Sequence, residues 1–141
     1  MPTSHAPKDN SHWVVPGRPE PLGKGQFLLA IYEDYIADKL TIAKIQQVFQ
    51  ELSDQPSRVG NRTTYKQRDE VTDNKRFHEP LIRTADRQLI RVSTQWRTEN
   101  FSYVLKAVHQ HFQIPLQGCR LTDKMRASMR AAGVAFEEVE C

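Results

Sequence analysis

The sequence predicts a small α+β domain at residues 26–141, preceded by a disordered N-terminal arm at residues 1–25. The chain has 141 residues, which suits a single domain. Several segments place apolar residues at helical spacing, and two segments have the β-branched composition of strands. We therefore expect about four helices and a small antiparallel sheet.

The arm is predicted from its composition. Residues 1–25 contain five of the eight prolines and three of the six glycines. Their apolar residues follow neither the period of a strand nor that of a helix, which is typical of a flexible segment. Only Trp13 and Val14, in the run HWVVP, could dock on the rest of the chain.

Two helices, or one interrupted helix, are predicted directly after the arm. Apolar residues recur at helical spacing through residues 27–40 and again through 42–52. Thr41 suits the N-cap of the second helix, so the break is expected near residues 38–41. The proline and glycine of the run SDQPSRVGN then end the pattern.

The strands are predicted in the middle of the chain. Residues 61–68, with the sequence NRTTYKQR, favour a strand because of their paired threonines and tyrosine. Residues 69–80 are expected to form a turn or loop. A second strand is predicted at residues 89–92, directly after the turn sequence TADRQ.

The C-terminal helices carry the clearest local signals. Thr98 suits the N-cap of a helix with one apolar face, at Phe101, Val104, Leu105, Val108 and Phe112. Thr122 suits the N-cap of a last helix, and Gly133 suits its end. The segment VAFEEVE is expected to close the fold as a short strand.

The positive charge of the chain is local. The formal net charge is +3, and residues 58–68 contain four basic residues and no acidic one. The rest of the chain contains sixteen basic and seventeen acidic residues, so it is slightly acidic. Residues 120–130 form a second basic segment. Two basic patches on a nearly neutral body are therefore expected.

The first basic segment is the leading candidate site. On a strand, Arg62, Thr64, Lys66 and Arg68 would share one face. A row of cations and hydroxyls suits contact with nucleic-acid phosphates, although an edge strand protected against self-association has the same pattern. The candidate nucleic-acid-binding residues are Arg58, Arg62, Lys66, Arg68, Arg126 and Arg130.

A second candidate surface would bind a protein. Trp96 follows the second strand, and Arg97 is its neighbour; Tyr103 follows in the helix. Trp, Tyr and Arg dominate the energetics of protein interfaces. The alternative is that Trp96 covers the core and donates its N–H to a carbonyl.

Enzymatic and metal chemistry are disfavoured, and we expect no catalytic residue, metal or cofactor. His109 and His111 lie on different sides of a helix, so they cannot bind one ion together. Residues 69–78 contain the carboxylates, lysine and histidine of a metal-dependent nuclease, but without recognisable spacing. Cys119 has no recognisable partner base.

A cytoplasmic location is expected. Cys119 and Cys141 are too few for the framework of a secreted disulfide scaffold, and Cys141, at the chain terminus, is not expected to have a fixed geometry. The N-terminus lacks the apolar region of a secretory signal. The longest apolar run, FLLAI, is too short to span a bilayer, so no membrane association is expected.

The function predicted from the sequence is that of a small, soluble, non-enzymatic binding protein whose basic patch contacts the backbone of DNA or RNA. The alternative is a protein–protein interaction module, such as an inhibitor, an immunity protein or an assembly factor, which uses charge to steer an acidic partner. A metal-dependent nuclease is a distant third hypothesis. The oligomeric state is not predicted.

Overall fold

The computed structural model describes residues 9–70 and 77–141, and it confirms a mixed α+β fold. Within these residues the chain forms five α-helices and two small sheets. The helices are α1 (Lys24–Ile31), α2 (Ile42–Val48), α3 (Gln50–Ser53), α4 (Thr98–Phe112) and α5 (Asp123–Ala132). The strands are β1 (His12–Trp13), β2 (Leu22–Gly23), β3 (Tyr65–Gln67), β4 (Phe77–Arg83), β5 (Leu89–Ser93), β6 (Gln117–Cys119) and β7 (Glu137–Glu138).

The sheets differ in how they are assembled. The central sheet has the order β3-β5-β4 and is antiparallel, with a register irregularity in β4 between His78 and Ile82. The terminal sheet has the order β2-β1-β6-β7 and joins the two ends of the described chain. Its β6 and β7 are parallel, so the expectation of one antiparallel sheet was too simple.

The predicted interruption after the first helix is confirmed. The five residues 27–31 of α1 are all buried, and the helix continues as a wider π turn at Tyr32–Ile36. The chain then reverses at Asp38, whose φ of 60° lies in the left-handed region. Thr41 begins α2, and its hydroxyl accepts a hydrogen bond from the Lys44 amide.

The two C-terminal helices follow the prediction closely. Thr122 Oγ1 accepts a hydrogen bond from the Met125 amide, and Gly133 ends α5 with a φ of 74°. Helix α4 begins one residue earlier than expected, because Thr98 lies inside the helix and Arg97 occupies the N-cap. Helix α4 packs against α5, and the Ser128 hydroxyl donates to the Thr98 carbonyl at 3.0 Å.

The prediction of a mobile arm is wrong for residues 9–25. Trp13 is completely buried, and β1 pairs with both β2 and β6. A Cβ added to Gly118 of β6 would lie 2.7 Å from the Trp13 ring, so only glycine leaves room for the indole. Residues 1–8 lie outside the described part of the chain. Burial of Trp13 and the strand pairing of β1 therefore tie a proline-rich segment to the core.

The C-terminus is also tied to the fold, contrary to the expectation for its cysteine. Cys119, at the end of β6, forms a disulfide with Cys141, and their Cα atoms are 5.6 Å apart. The parallel pairing of β6 with β7 brings the terminal segment back to Cys119. A terminal position did not prevent fixed geometry, because the preceding strand supplies it.

Candidate functional site

The predicted basic row on a long strand does not form. Strand β3 contains only Tyr65–Gln67, and Arg68 lies in the 3-10 turn Arg68–Glu70 that follows. Thr64 is only 3% exposed, and its hydroxyl lies 2.5 Å from the hydroxyl of Tyr32. Thr64 therefore faces the core, so the side chains of residues 62–68 do not form one continuous cationic face.

Three arginines instead gather around the loop before β3, and we name them the arginine cluster: Arg58, Arg62 and Arg97. Arg97 Nη1 donates to the Arg58 carbonyl at 3.4 Å across 39 residues of sequence. Arg62 Nη1 donates to the Gln55 carbonyl at 2.9 Å. All three side chains are exposed.

The arginine cluster keeps its charge available for a ligand. None of its three guanidinium groups forms an ion pair with a carboxylate in the described residues. Arg62 and Arg97 each donate to a backbone carbonyl, which orients the side chain without neutralising it. Guanidinium groups without a carboxylate partner suit phosphate recognition, because their planar donors match phosphate oxygens.

Gly60 allows the approach of Arg97 to this loop. Its φ of 111° lies in a region that side chains avoid. An added Cβ would also lie 2.8 Å from Arg97 Cδ. The glycine that ends the predicted helical region therefore has a second role, since it places the 58–62 loop against the start of α4.

Trp96 lies beside the arginine cluster at the junction of β5 and α4. Its indole Nε1 donates to the Ser93 carbonyl at 3.0 Å, as the core-cap interpretation predicts. Its ring centroid is 5.9 Å from that of Phe101. The indole is nevertheless only partly buried. It lines a depression of about 450 Å³, the Trp96 depression, together with Gly60, Asn61, Gln95 and Arg97.

A second depression adjoins the first, since both are lined by Trp96 and Arg97. It has a volume of about 330 Å³ and contains two ion pairs. Lys24 Nζ lies 2.7 Å from Asp9 Oδ2, and Lys124 Nζ lies 3.0 Å from Glu99 Oε1. The Asp9 side chain is only 5% exposed, so this pair fixes the N-terminal segment and adds little free charge.

Glu99 is stabilised in its ionised form at this position. Its own backbone N–H at the start of α4 and the ammonium group of Lys124 lower the pKa of the carboxyl, in that order of effect. Glu99 therefore balances Lys124 near neutral pH. The basic segment 120–130 contributes Lys124 to this second depression, but as half of an ion pair.

The predicted extension through Arg126 is also neutralised. Arg126 Nη2 lies 2.8 Å from Glu138 Oε1, and its Nη1 lies 2.8 Å from Asp123 Oδ1. Hydrogen bonding to Glu138 raises the pKa of Arg126 further above its ordinary value. Arg130 is exposed near Glu138, whose pKa it helps to lower. Neither arginine lines the depressions beside Trp96.

A separate groove of about 490 Å³ lies between α2–α3 and β3. Arg62 and Lys66 line it, and Glu70 lies among the other lining residues. Gln46 Nε2 donates to the Tyr65 hydroxyl at 3.2 Å and so connects α2 with the edge strand. Lys66 is paired in register with Arg91 of β5. The groove is polar and less strongly basic than the arginine cluster.

The remaining candidates have structural roles or lie outside the described residues. Tyr103 is partly buried on α4 and packs against the core. His109 Nδ1 lies 2.8 Å from the Ile114 carbonyl, so this ring caps the end of α4. In the described residues, no three His, Cys, Asp or Glu side chains are grouped to hold a metal ion. Residues 71–76 of the proposed nuclease loop are not described.

The sequence pointed to Arg97 as a protein-binding residue and did not connect it with Arg58. No local pattern could have done so, because 39 residues separate them. The involvement of Lys24 and Asp9 was missed for the same reason.

Comparison of the chain with known proteins does not assign it to a family. No family model, curated protein or solved structure matches it. No helix in the described residues is long and apolar enough to cross a membrane.

Proposed function

We propose that this protein is a non-enzymatic nucleic-acid-binding protein whose arginine cluster contacts the phosphate backbone. The supporting observation is that Arg97 reaches the backbone of the 58–62 loop from the start of α4, and that none of the three guanidinium groups forms an ion pair with a carboxylate in the described residues. Such cations release counterions from the polymer on binding, which supplies affinity that is independent of sequence.

The proposal changes the residue set predicted from the sequence. Arg97 joins Arg58 and Arg62, while Lys66 lines the groove beside β3 and Arg68 forms an ion pair with Asp69. Arg126 is left out because Glu138 and Asp123 already neutralise it, and Arg130 is left out because it lines neither depression beside Trp96. A cytoplasmic location is part of the proposal. The Cys119–Cys141 disulfide argues against that location, since disulfides are rare in a reducing compartment.

Binding of labelled DNA and RNA, followed by fluorescence anisotropy over a salt series, tests the proposal. The wild type is expected to lose affinity steeply as salt rises. In Arg58→Ala/Arg62→Ala/Arg97→Ala, the slope of log K against log salt should become smaller by up to about three.

The matched control removes three other exposed cations: Lys39→Ala, Arg87→Asn and Arg130→Ala. Asparagine is chosen at Arg87 because its φ is 62° and asparagine tolerates this region. The control should keep most of the wild-type affinity. Equal losses in both triple variants, or no salt-sensitive binding to any polymer, would overturn the proposal.

A protein partner is the second candidate function, and the groove beside β3 favours it. Strand β3 is at the edge of the central sheet, next to a polar groove walled by α2 and α3. An extended peptide that adds a strand to such an edge gains main-chain hydrogen bonds. Copurification of one stoichiometric protein that resists nuclease, and its loss in Gln46→Ala/Tyr65→Ala, would support this candidate.

A further inference from the structure

We propose that Trp96 is a stacking platform for an unpaired base, so that the nucleic acid held by the arginine cluster is single-stranded. This inference rests on the proposed function and names the class of polymer. It follows from the position of a partly exposed, immobilised indole directly beside phosphate-binding side chains.

The Trp96 ring is preorganised. The Nε1–Ser93 hydrogen bond and the contact with Phe101 hold the indole in one orientation. Its side chain therefore loses little rotational freedom when a planar ligand binds. The partly exposed indole lines the Trp96 depression and the adjoining one, so it contributes both to the core and to the surface.

The Trp96 depression suits a single base better than the adjoining depression does. Its volume of about 450 Å³ lies in the range of small-molecule sites. No acidic residue lines it, whereas Asp9 and Glu99 line the adjoining depression. The Arg97 guanidinium borders the same space, so a phosphate can meet a cation while its base meets the ring.

The polar groups around the ring predict tolerance of base sequence. The Asn61 amide nitrogen donates to Ser93 Oγ at 2.6 Å, and its oxygen accepts from the Thr63 amide at 3.0 Å. Asn61 therefore has little capacity left to distinguish bases. Stacking on an aromatic ring accepts every base, since each has a π face.

Stacking also selects the single strand. In a duplex the faces of the bases are covered by their neighbours, and only unpaired bases can lie on an aromatic side chain. The arginine cluster alone would bind both kinds of polymer. A preference for single strands would therefore report on Trp96, separately from the charge.

Intrinsic fluorescence tests the inference because the two tryptophans differ in exposure. The chain has two tryptophans, and Trp13 is completely buried while Trp96 is partly exposed. Titration with oligo(dT) should quench the Trp96 emission and protect it from acrylamide. A duplex of the same length and heparin, a polyanion without bases, should bind without this quenching.

Substitution of Trp96 provides the second readout. Affinity for oligo(dT) should fall in the order wild type, Trp96→Phe, Trp96→Leu, with a total loss of roughly 5- to 150-fold. Affinity for the duplex should be equal in the three proteins. Circular dichroism and the Tm of each variant identify any loss that comes from unfolding, and Trp96→Phe retains an aromatic contact with Phe101.

The outcomes separate the two proposals. Absence of salt-sensitive binding to every polymer would overturn the proposed function. Salt-sensitive binding with no preference for oligo(dT), no quenching and no effect of Trp96→Leu would overturn only the stacking platform. Loss of a stoichiometric protein partner in Trp96→Leu, with unchanged binding to oligo(dT), would also overturn it.

Discussion

Thr64 changes the meaning of the basic segment at the scale of a single residue. Its hydroxyl is paired with that of Tyr32, which is completely buried. Burial raises the pKa of Tyr32 far above its ordinary value, and the hydrogen bond between Tyr32 and Thr64 offsets only part of this rise, so the phenol stays neutral. The side chain that would have faced a ligand on the predicted strand instead satisfies a polar group of the core.

Thr64→Val should therefore destabilise the protein. The substitution keeps the shape and leaves the buried Tyr32 hydroxyl without its partner, which costs about 1–3 kcal/mol. Urea unfolding measures the loss, with Thr63→Val as the control because Thr63 is exposed. Tyr32→Phe/Thr64→Val should recover much of the stability. Equal stability of Thr64→Val and Thr63→Val would contradict this account.

Protonation of Asp34 makes the stability of the fold depend on pH. It accepts hydrogen bonds from Arg18 Nε and Nη2, both at 2.9 Å, and these bonds lower the pKa of its carboxyl below the ordinary value. Its stabilising contribution is therefore complete above the unfolded pKa of 3.8 and is lost as pH falls through the lower folded pKa.

Asp34→Asn should reduce the loss of stability that occurs as pH falls below the unfolded pKa of 3.8, because it removes this protonation step. The reduction should be small, since the paired side chains of Arg18 and Asp34 are 33% and 35% exposed. Urea midpoints at several pH values for wild type, Asp34→Asn and the exposed control Glu20→Gln measure it. A pH profile of Asp34→Asn that overlays that of wild type would contradict the assignment.

At the scale of elements, local signals were sufficient for α4 and α5. Apolar spacing, Thr122 and Gly133 all act within a few residues, so the sequence exposes them directly. The strands β1, β2 and β7 contain two residues each and have no periodicity to detect. They form because partners distant in sequence provide their hydrogen bonds.

The C-terminal segment depends on several such partners. Strand β7 lies parallel to β6, the Val139 amide donates to the Gly118 carbonyl at 2.9 Å, and Cys141 is bonded to Cys119. Glu138 additionally binds Arg126 of α5. The segment is therefore held by backbone pairing, an ion pair and a covalent bond together.

Reduction of the disulfide should lower the free energy of unfolding by up to about 3 kcal/mol, because it releases a closed loop from the unfolded chain. The sequence separation of the two cysteines is 22 residues. Urea unfolding with and without dithiothreitol measures the change. Cys141→Ser should match the reduced wild type and be insensitive to the reductant. A reductant effect that persists in Cys141→Ser would rule out this bond as its cause.

At the scale of the whole molecule, the N-terminal segment is part of the core. The Asp9 carboxylate forms an ion pair with Lys24. It also lies within 3.5 Å of the hydroxyls of Thr98 and Thr122, at the starts of α4 and α5. Trp13 fills the space beside Gly118. One segment therefore connects the terminal sheet with both C-terminal helices.

Trp13→Ala should cost about 3–5 kcal/mol, because it leaves a cavity where a fully buried indole was. His12→Ala, on the same strand with a partly buried side chain, is the matched control. Thermal and urea unfolding compare the two. A flexible arm, as the composition predicts, would make both substitutions neutral.

The sequence by itself determined the fold class, the break near Asp38, the two C-terminal helices and the location of most of the excess charge. These features depend on periodicity, capping and composition, which are local properties of the chain. The tertiary structure alone decided that Thr64 faces the core, that Arg126 is neutralised by Glu138, and that Arg97 joins Arg58 beside Trp96. Those outcomes depend on which distant residues meet, and a contact between residues far apart in the chain has no local signature in the sequence.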